Sequence, residues 1–274
     1  MLDEATLRQY SPPPALLRGR VIAITGASDG IGRALSLAAA TLGAEVVLIG
    51  RNLKRLEAVH AEIAALGASG AAGTEDAGDR TCIAQLDLEN SLAPDYERVA
   101  TALQQRYGRL DGLVHNAAIL GTLAPLEHAD MRSWVRVLHV NLTASFALTQ
   151  VLLPALRASA DASVIFTSSS VGRRGRANWG AYAVSKFGVE GLSQVLSDEL
   201  SGNSNVRVNA VNPGPTRTRM RRQAYPGEDP AAPIEPSAIL GPYLWLLGPA
   251  SHGVTGESIN CQAPRPVFPP APRG

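Results

Sequence analysis

The stretch VIAITGASDGIG, residues 21–32, decides the fold of this chain. It opens with a short aliphatic run that predicts a buried strand, and Gly26, Gly30 and Gly32 follow around the start of a helical pattern near Ile31. Glycines let the backbone turn tightly and approach a pyrophosphate, whose charge the exposed amides at a helix N-terminus stabilise. The stretch is therefore a candidate dinucleotide-binding loop. The alternative is a glycine-rich turn that merely connects a strand to a helix.

The pattern on either side of this loop is an alternation of short aliphatic runs with longer segments of helical period. Such alternation is typical of βαβ units around a parallel sheet. It predicts strands at 21–25, 45–49, 82–86, 112–115, 163–167, 206–211 and 257–260, and helices at 30–42, 53–66, 93–107, 131–157, 179–201 and 236–247. We therefore expect an α/β protein with a single-domain Rossmann fold, in which a doubly wound, seven-stranded parallel sheet carries helices on both faces.

Proline and glycine set the expected limits of this domain. Prolines at 12–14 precede the first strand, and the C-terminal end is rich in proline. We expect an extended N-terminal arm over 1–18, one domain over 19–262 and a proline-rich tail over 263–274. The small, polar segment 67–79 predicts a flexible loop.

The composition excludes several classes of partner and site. The 274 residues carry 25 Lys plus Arg against 24 Asp plus Glu, so a net charge of +1 gives no overall basic field for nucleic acid or an anionic membrane. Two cysteines are too few for a disulfide framework and lack the spacing of a zinc site, so we expect no metal and a reducing cytoplasm. The acidic N-terminus is unlike a signal peptide. No stretch approaches the roughly 20 apolar residues of a membrane span, and the nearest candidate is 238–250.

Lysine is rare in this chain, because among 25 basic residues only Lys54 and Lys186 are lysines. Lys186 follows Tyr182 by four residues, which places both side chains on one face of the predicted helix. A compact ammonium on a flexible stem donates to ribose hydroxyls and lowers the pKa of a nearby phenol from its ordinary value of about 10. The pair is a candidate proton-transfer site, and the alternative is a lysine on the helix surface.

Four motifs occur along the chain in a fixed order. They are TGASDGIG at 25–32, HNAA at 115–118, SSSVG followed by YAVSK, and NPGPTRT at 212–218. In order and spacing they resemble the short-chain dehydrogenase/reductase family, from Leu17 to about Gln262. The sequence around the third and fourth motifs resembles a narrower group within this family, the bacterial YciK-type oxidoreductases. The resemblance implies an NAD(P)-dependent oxidoreductase that transfers hydride between a nicotinamide and a carbonyl or secondary alcohol.

The resemblance also implies roles for individual residues. Tyr182 is the general acid in carbonyl reduction and the base in alcohol oxidation, Ser169 polarises the carbonyl oxygen, and Lys186 anchors the ribose and lowers the pKa of Tyr182. Asn141 helps to hold a water on the proton relay. The alternative is a purely structural role, in which Asn141 is a buried polar residue that satisfies helix carbonyls. The residues implied to bind the cofactor are Gly26, Ser28, Asp29, Gly30, Ile31, Gly32, Arg51, Asp87, Leu88, Asn116, Ala117, Tyr182, Lys186, Pro213, Gly214, Thr216 and Thr218.

The residues that follow the second predicted strand bear on the choice of cofactor. An NAD-type fold places an acidic residue at this edge for the ribose 2′-hydroxyl, whereas this chain has Gly50 and then Arg51, which suits a 2′-phosphate. Asp29 in the glycine-rich turn favours the opposite choice, and Arg51 has the alternative of capping a solvated loop. We expect NADP(H) in preference to NAD(H).

Two arginine clusters follow the fifth and sixth predicted strands, where open parallel sheets bind ligands. They suit an anionic carbonyl or alcohol substrate, such as a carboxylate or an acyl thioester, and the alternative is solvated or intersubunit charge. The family's mobile substrate lid corresponds to about 217–240, and its paired long helices imply a homodimer or homotetramer. The clusters are Arg173, Arg174 and Arg176, then Arg217, Arg219, Arg221 and Arg222.

The chain departs from the family at the end of the last strand. The usual acidic-Gly-Gly sequence is replaced there by Asn260, Cys261 and Gln262. The alternative to an enzyme is an NADP-binding sensor or scaffold with little turnover. The presence of all four implied catalytic residues argues against that alternative.

Overall fold

The computed structural model describes residues 3–68 and 80–263. One sheet of seven parallel strands has the order β3-β2-β1-β4-β5-β6-β7. The strands are β1 Val21–Thr25, β2 Glu45–Gly50, β3 Thr81–Gln85, β4 Gly112–His115, β5 Ala162–Thr167, β6 Val206–Asn212 and β7 Ser258–Asn260. All the predicted strands are present, and no end is displaced by more than one residue.

The helices follow the predicted alternation with strands. They are α1 Glu4–Arg8, α2 Gly30–Thr41, α3 Leu53–Ala68, α4 Ala93–Tyr107, α5 Met131–Leu138, α6 Ala144–Arg157, α7 Gly180–Leu200, α8 Arg219–Ala224 and α9 Gly241–Leu247. The helix predicted at 236–247 is divided, because Pro236–Ile239 forms a 3₁₀ turn and α9 begins only at Gly241. Proline at the second position of α9 suits a helix start, since its missing N–H would have no partner there.

The helices cover both faces of the sheet. Successive strand residues point to opposite faces, so Ile22 and Ile24 of β1 pack among residues of α2, α3 and α9, whereas Val21 and Ala23 pack among residues of α4, α6 and α7. All of β1 is buried, which explains its unbroken aliphatic sequence. The expected doubly wound, single-domain Rossmann fold is confirmed.

The order of the strands reverses beside β1. This strand pairs with β2 on one side and with β4 on the other, so that Ile24 lies opposite both Leu48 and Val114. The chain therefore winds in opposite directions from this point, and the connections that leave β1 and β4 diverge. A crevice opens between them at the carboxyl edge of the sheet, and the glycine-rich loop after β1 borders it.

One long helix runs without a break through α5, a π-helical turn at His139–Thr143 and α6. Among the described residues it is the one helix whose length and apolar composition would suffice to cross a membrane, contrary to the expectation that no stretch qualifies. Its side chains Leu148, Leu152 and Leu156 are fully buried, and α6 packs on α4 and the sheet. The apolar composition therefore reflects a helix of the domain core.

The N-terminal segment is not extended throughout, contrary to expectation. The side chain of Asp3 accepts a hydrogen bond from the amide of Ala5 at 3.0 Å and caps α1. Leu7 is buried, and α1 packs so closely on α9 that a Cβ on Gly241 would lie 2.9 Å from the Leu7 carbonyl oxygen. A side-chain cap and one buried leucine thus fold this segment onto the domain. Within the predicted loop and tail, residues 69–79 and 264–274 lie outside the described residues.

Candidate active site

The carboxyl ends of β1, β4, β5 and β6 open into one cleft of about 970 Å³. Gly32 and Asn141 are buried and do not line this cleft. All the other implied catalytic and cofactor-binding residues line it, namely Gly26, Ser28, Asp29, Gly30, Ile31, Arg51, Asp87, Leu88, Asn116, Ala117, Ser169, Tyr182, Lys186, Pro213, Gly214, Thr216 and Thr218.

The glycine-rich loop is shaped by close backbone contacts. Gly26 has a φ of +68°, and a Cβ at this position would lie 3.0 Å from the Cα of Ala117. A Cβ on Gly32 would collide with the carbonyl oxygen of Gly26, so this glycine lets α2 approach the strand end. Asp29 caps α2 by accepting from the amide of Gly30 at 2.8 Å. The loop therefore leaves an open cradle beside the first turn of a helix, which is the arrangement that holds a pyrophosphate.

Thr25, which sequence reasoning did not single out, joins the ends of β1 and β4. Its hydroxyl oxygen accepts from the amides of Asn116 and Ala117, each at 3.0 Å, and the side chain of Asn116 donates to the Thr25 carbonyl at 3.1 Å. These contacts fix the two loops that border the crevice. The signal was available, since Thr25 is the first residue of the TGASDGIG motif.

Tyr182, Ser169 and Lys186 meet at the floor of the cleft. Tyr182 is hydrogen-bonded to Ser169, and the ammonium of Lys186 lies 5.7 Å from the centre of the tyrosine ring. Lys186 also donates to the carbonyl of Thr167 at 2.7 Å. The predicted i, i+4 pair therefore forms on the buried face of α7 instead of the helix surface.

Burial controls the titration of this pair. Loss of water raises the pKa of Tyr182 to about 12, against a lowering by the hydrogen bond from Ser169. Burial also lowers the pKa of Lys186 to about 8, against the opposing charge of Glu190. The net shift of Tyr182 is thus opposite to the lowering that the sequence predicts, because desolvation outweighs the hydrogen bond from Ser169.

Asn141 lies inside the π-helical turn. Its side-chain oxygen accepts from the amide of Ile119 at 2.8 Å, and its side-chain nitrogen donates to the carbonyl of Ile119 and the hydroxyl of Ser185, each at 3.0 Å. It therefore connects the segment after β4 to α7. The polar groups that it satisfies belong to a loop and a serine, not to the carbonyls of its own helix.

The turn after β6 is held by a residue whose role sequence reasoning missed. Gly214 adopts a φ of +70°, and its amide donates to the side chain of Asn212 at 3.1 Å. The side chain of Gln262 donates to the carbonyls of Pro213 at 2.8 Å and Pro215 at 2.9 Å. Gln262 stands where the family has glycine, so the departure from the family pattern was itself the signal.

Charged side chains surround the other end of the cleft, which we call the nucleotide end. The guanidinium of Arg51 is mostly exposed and lies 3.2 Å from the carboxylate of Glu89. Arg136 donates two further hydrogen bonds to Glu89, at 2.7 and 2.8 Å, which lower the pKa of this carboxyl. Asp87 accepts from the amide of Glu89 at 3.2 Å. Glu89 and Arg136 are additions to the predicted set, which no local pattern indicated.

The opposite end, which we call the substrate end, contains apolar side chains together with Arg176, Arg219 and Arg221 of the arginine clusters. The other four cluster residues, Arg173, Arg174, Arg217 and Arg222, do not line the cleft. Three of the arginines are paired with carboxylates, in Arg173–Glu190, Arg217–Glu235 and Arg221–Glu228. Arg176 instead lies over two rings, 5.8 Å from Trp179 and 5.6 Å from Tyr225. Among the described residues, the acidic side chains that line the cleft are Asp29, Asp87 and Glu89, all at the nucleotide end.

The fold and this site define a nicotinamide-dependent oxidoreductase of Rossmann type. The family model for short chain dehydrogenases matches residues 20–229, and the chain belongs to that family. It is 44% identical over 256 residues to the uncharacterized oxidoreductase YciK of Escherichia coli K12, covering 93% of this chain and 97% of the relative. The narrower resemblance to YciK-type oxidoreductases is thereby confirmed.

Solved structures agree with this assignment. A short chain dehydrogenase from Pseudomonas syringae has a TM-score of 0.87 and 48% identity, covering 96% of this chain and 100% of the other. A short chain dehydrogenase from Shigella flexneri 2a, complexed with NADP, has a TM-score of 0.83 and 44% identity, covering 91% of this chain and 100% of the other.

Proposed function

We propose that this protein is an NADPH-preferring oxidoreductase that transfers hydride between nicotinamide and a carbonyl or secondary alcohol, with Tyr182 as general acid and base. The observation that carries the proposal is the buried cluster of Tyr182, Ser169 and Lys186 at the floor of a cleft bordered by the glycine-rich loop. A cluster built only for stability would have no need of a desolvated ammonium beside a phenol.

The shape of the cleft fits a dinucleotide. The cradle at Gly26 and Gly32 is kept open by the absence of side chains, because a Cβ at either position would meet backbone or side-chain atoms. The loop would hold the pyrophosphate, Asp87 and Leu88 the adenine, and the turn at Pro213 to Thr218 the nicotinamide end. The bound cofactor supplies the hydride. Arg51 favours NADP(H), since its exposed guanidinium is available to a 2′-phosphate, and the relative crystallised with NADP supports this choice.

The protein's own residues would then move the proton. With a pKa of about 12, the phenol of Tyr182 is protonated at neutral pH and serves as the acid in carbonyl reduction. Ser169, hydrogen-bonded to that phenol, polarises the carbonyl oxygen. Lys186 binds the ribose and stabilises the phenolate that remains after transfer. Asn141 anchors the segment after β4 against α7 and helps to hold a water on the proton relay.

The substrate end supports an anionic substrate with an apolar body. Leu120, Val171, Trp179 and Met220 supply apolar contacts, and segment 217–240 acts as a lid over them. Arg176 and Arg219 line this end, and neither has an ion pair with a carboxylate in the described part of the chain. A carboxylate or acyl thioester on the substrate would supply the missing negative charge.

Matched substrates would test the anionic class. We expect a higher kcat/KM for a keto acid than for its methyl ester, and we expect Arg219→Gln to remove most of that preference. Arg222→Gln is the control, because Arg222 belongs to the same helix but does not line the cleft. Equal values for acid and ester, without dependence on salt, would contradict this part of the proposal.

An exposed apolar stripe supports a homodimer or homotetramer. Val184, Phe187 and Val195 lie on one face of α7, and Phe146 of α6 is exposed as well. Phe187→Asp should therefore yield a smaller particle by light scattering, whereas Leu92→Asp, on an exposed residue at the start of α4, should not. Both cysteines are free, which supports the expected cytoplasmic location.

The central experiment follows the nicotinamide absorbance with a panel of aldehydes, ketones, quinones and acyl-thioester ketones. We expect turnover with at least one member, with NADPH preferred over NADH. Tight binding of NADPH without turnover of any member would favour a sensor or scaffold. No binding of either cofactor would contradict the proposed function as a whole.

A further inference from the structure

Glu190 is a buried carboxylate that the proposed reaction does not use. It lies on α7, one helical turn after Lys186, and it is 7% exposed. One carboxylate oxygen accepts from the hydroxyl of Ser168 at 2.5 Å and from Arg173 at 3.0 Å, and the other accepts from Ser258 at 2.6 Å. All three neighbours donate, which is the pattern that an ionised carboxylate accepts.

The position of Glu190 matters because Lys186 has lost its water. In the part of the chain that the structure describes, the ammonium has one hydrogen-bond acceptor, the carbonyl of Thr167, and burial of the side chain lowers its pKa to about 8. The negative charge of Glu190 acts in the opposite direction and favours the protonated form. Glu190 also accepts a hydrogen bond from Ser168, the residue before Ser169, so it acts on Lys186 through its charge and on the serine segment through a direct contact.

We propose that Glu190 is a positioning residue of this active site, which keeps Lys186 charged and fixes the Ser168–Ser169 segment, and that Arg173 limits the strength of its effect. The proposal rests on the proposed function, because it concerns the ammonium that would bind the cofactor ribose. Glu190 itself need touch neither substrate nor cofactor.

The other ionisable groups around Lys186 are uncharged at neutral pH, so they do not oppose or add to the charge of Glu190. Tyr182 precedes it on α7, and Tyr243 on α9 bonds to Thr167 at 3.1 Å; burial raises the pKa of both phenols, so both are neutral. His115 on β4 is neutral too, because burial, together with the charge of Lys186, lowers its pKa to about 3. At neutral pH the charged group that acts on Lys186 is therefore Glu190, which is itself paired with Arg173.

Asn260 helps to hold Arg173 at 3.0 Å from Glu190. Its side-chain oxygen accepts from Arg173 at 2.8 Å, and its side-chain nitrogen donates to Glu4 of α1 at 3.0 Å. The acidic residue usual in the family at this point could not donate to Glu4 and would offer Arg173 a second carboxylate. An amide here leaves the charge of Arg173 directed at Glu190 and anchors both to the N-terminal helix.

The test is the pH dependence of NADPH binding to the full-length protein, followed by cofactor fluorescence between about pH 7 and about pH 9.5, above the titration of the 2′-phosphate. In the wild type we expect affinity to fall near pH 8, where Lys186 loses its proton. Glu190→Gln should move this fall down by about one pH unit, because the opposing charge is gone. Arg173→Gln should move it up, because the effect of Glu190 is then uncompensated.

Three further variants show whether the fall in affinity comes from Lys186 and whether its shift comes from Glu190. Lys186→Met should abolish the fall near pH 8, and Glu199→Gln, an exposed acid on the same helix, should leave it unmoved. Glu190→Asp should restore it toward the wild-type position. An unmoved fall in folded Glu190→Gln, or shifts of Glu190→Gln and Arg173→Gln in the same direction, would overturn the role of Glu190. If Glu190→Gln does not fold, Arg173→Gln and Glu190→Asp decide. Failure of the wild type to bind NADPH would instead contradict the proposed function.

Discussion

Buried charges lie at both ends of the parallel sheet, but they are arranged differently. At the amino end, Asp161 binds Arg207 at 2.8 Å and Arg20 at 3.3 Å, and Asp111 accepts from Ser159 at 2.6 Å. At the carboxyl end, the ammonium of Lys186 donates to a carbonyl oxygen and, among the described residues, has no ion pair with a carboxylate. The first group is neutralised by direct ion pairs, whereas the charge of Lys186 is balanced only through the nearby carboxylate of Glu190.

This difference separates stability from chemistry. The ion pairs with Arg207 and Arg20 lower the pKa of Asp161 although partial burial acts to raise it, so that carboxylate stays charged and paired. Burial moves the pKa values of Tyr182 and Lys186 apart, to about 12 and about 8, and brings that of Lys186 close to neutral pH. We expect changes at the amino end to cost folding free energy and changes at the carboxyl end to cost turnover.

The largest effect is expected for Tyr182→Phe. Loss of the phenolic proton should reduce kcat by at least about 10²-fold, because general acid catalysis is removed. The free energy of unfolding should change by only about 1 kcal/mol, since one hydrogen bond to Ser169 is lost. Steady-state kinetics and urea unfolding measure the two quantities. If the variant binds NADPH and still turns over substrate, the assignment of the chemistry to the carboxyl end of the sheet is wrong.

Asp161→Ala is the counterpart at the amino end. Removing this carboxylate leaves the nearly buried Arg207 without its ionic partner, so we expect a loss of about 3 kcal/mol in the free energy of unfolding. The value of kcat/KM for the remaining folded protein should be unchanged. Glu62→Ala is the matched control: it breaks an ion pair with Arg33 in which both side chains are more than 40% exposed, and it should cost below about 1 kcal/mol. A stability loss no greater than that of the control would show that the amino-end pairs are dispensable.

A smaller effect, confined to the cofactor, is expected for Arg51→Ala. Loss of the guanidinium should weaken NADPH binding about tenfold and leave NADH binding unchanged, because only NADPH carries the 2′-phosphate. The loss is moderated by the exposure of Arg51 and by its existing contact with Glu89. Arg98→Ala, which removes an exposed arginine from the surface of α4, controls for net charge. Equal weakening of NADPH and NADH would contradict a role for Arg51 in the choice of cofactor.

The sequence was sufficient wherever neighbours along the chain set the structure. The aliphatic runs located the strands because both sheet faces are covered, and the four-residue spacing of Tyr182 and Lys186 placed both on one helix face. The glycine-rich loop was recognisable because its conformation depends on the absence of local side chains. The roles assigned to these residues stay predictions, although their meeting in one cleft is observed.

Contacts between distant segments could not be predicted in this way. Gln262 and Pro213 are 49 residues apart along the chain, and Glu4 and Asn260 are 256 apart, so no local pattern relates them. The N-terminal segment was expected to be extended because prolines follow it, whereas the fold of α1 depends on burying Leu7 against the distant α9. The raised pKa of Tyr182 also depends on burial, which the spacing to Lys186 does not reveal.

The smallest effect is expected for Gln262→Ala. This variant tests whether two parts of the carboxyl end, the nucleotide end and the nicotinamide end of the cleft, bind the cofactor independently. Two hydrogen bonds to the carbonyls of Pro213 and Pro215 would be lost, so the turn proposed to hold the nicotinamide becomes less ordered. We expect the KM for NADPH to rise about threefold to fivefold, corresponding to about 1 kcal/mol. Adenosine 2′,5′-bisphosphate, which lacks the nicotinamide, should bind as tightly as to the wild type, whereas Arg51→Ala should weaken its binding. If Gln262→Ala weakened both ligands equally, the turn would act on the whole cleft, and the separation of the nucleotide end from the nicotinamide end would be wrong.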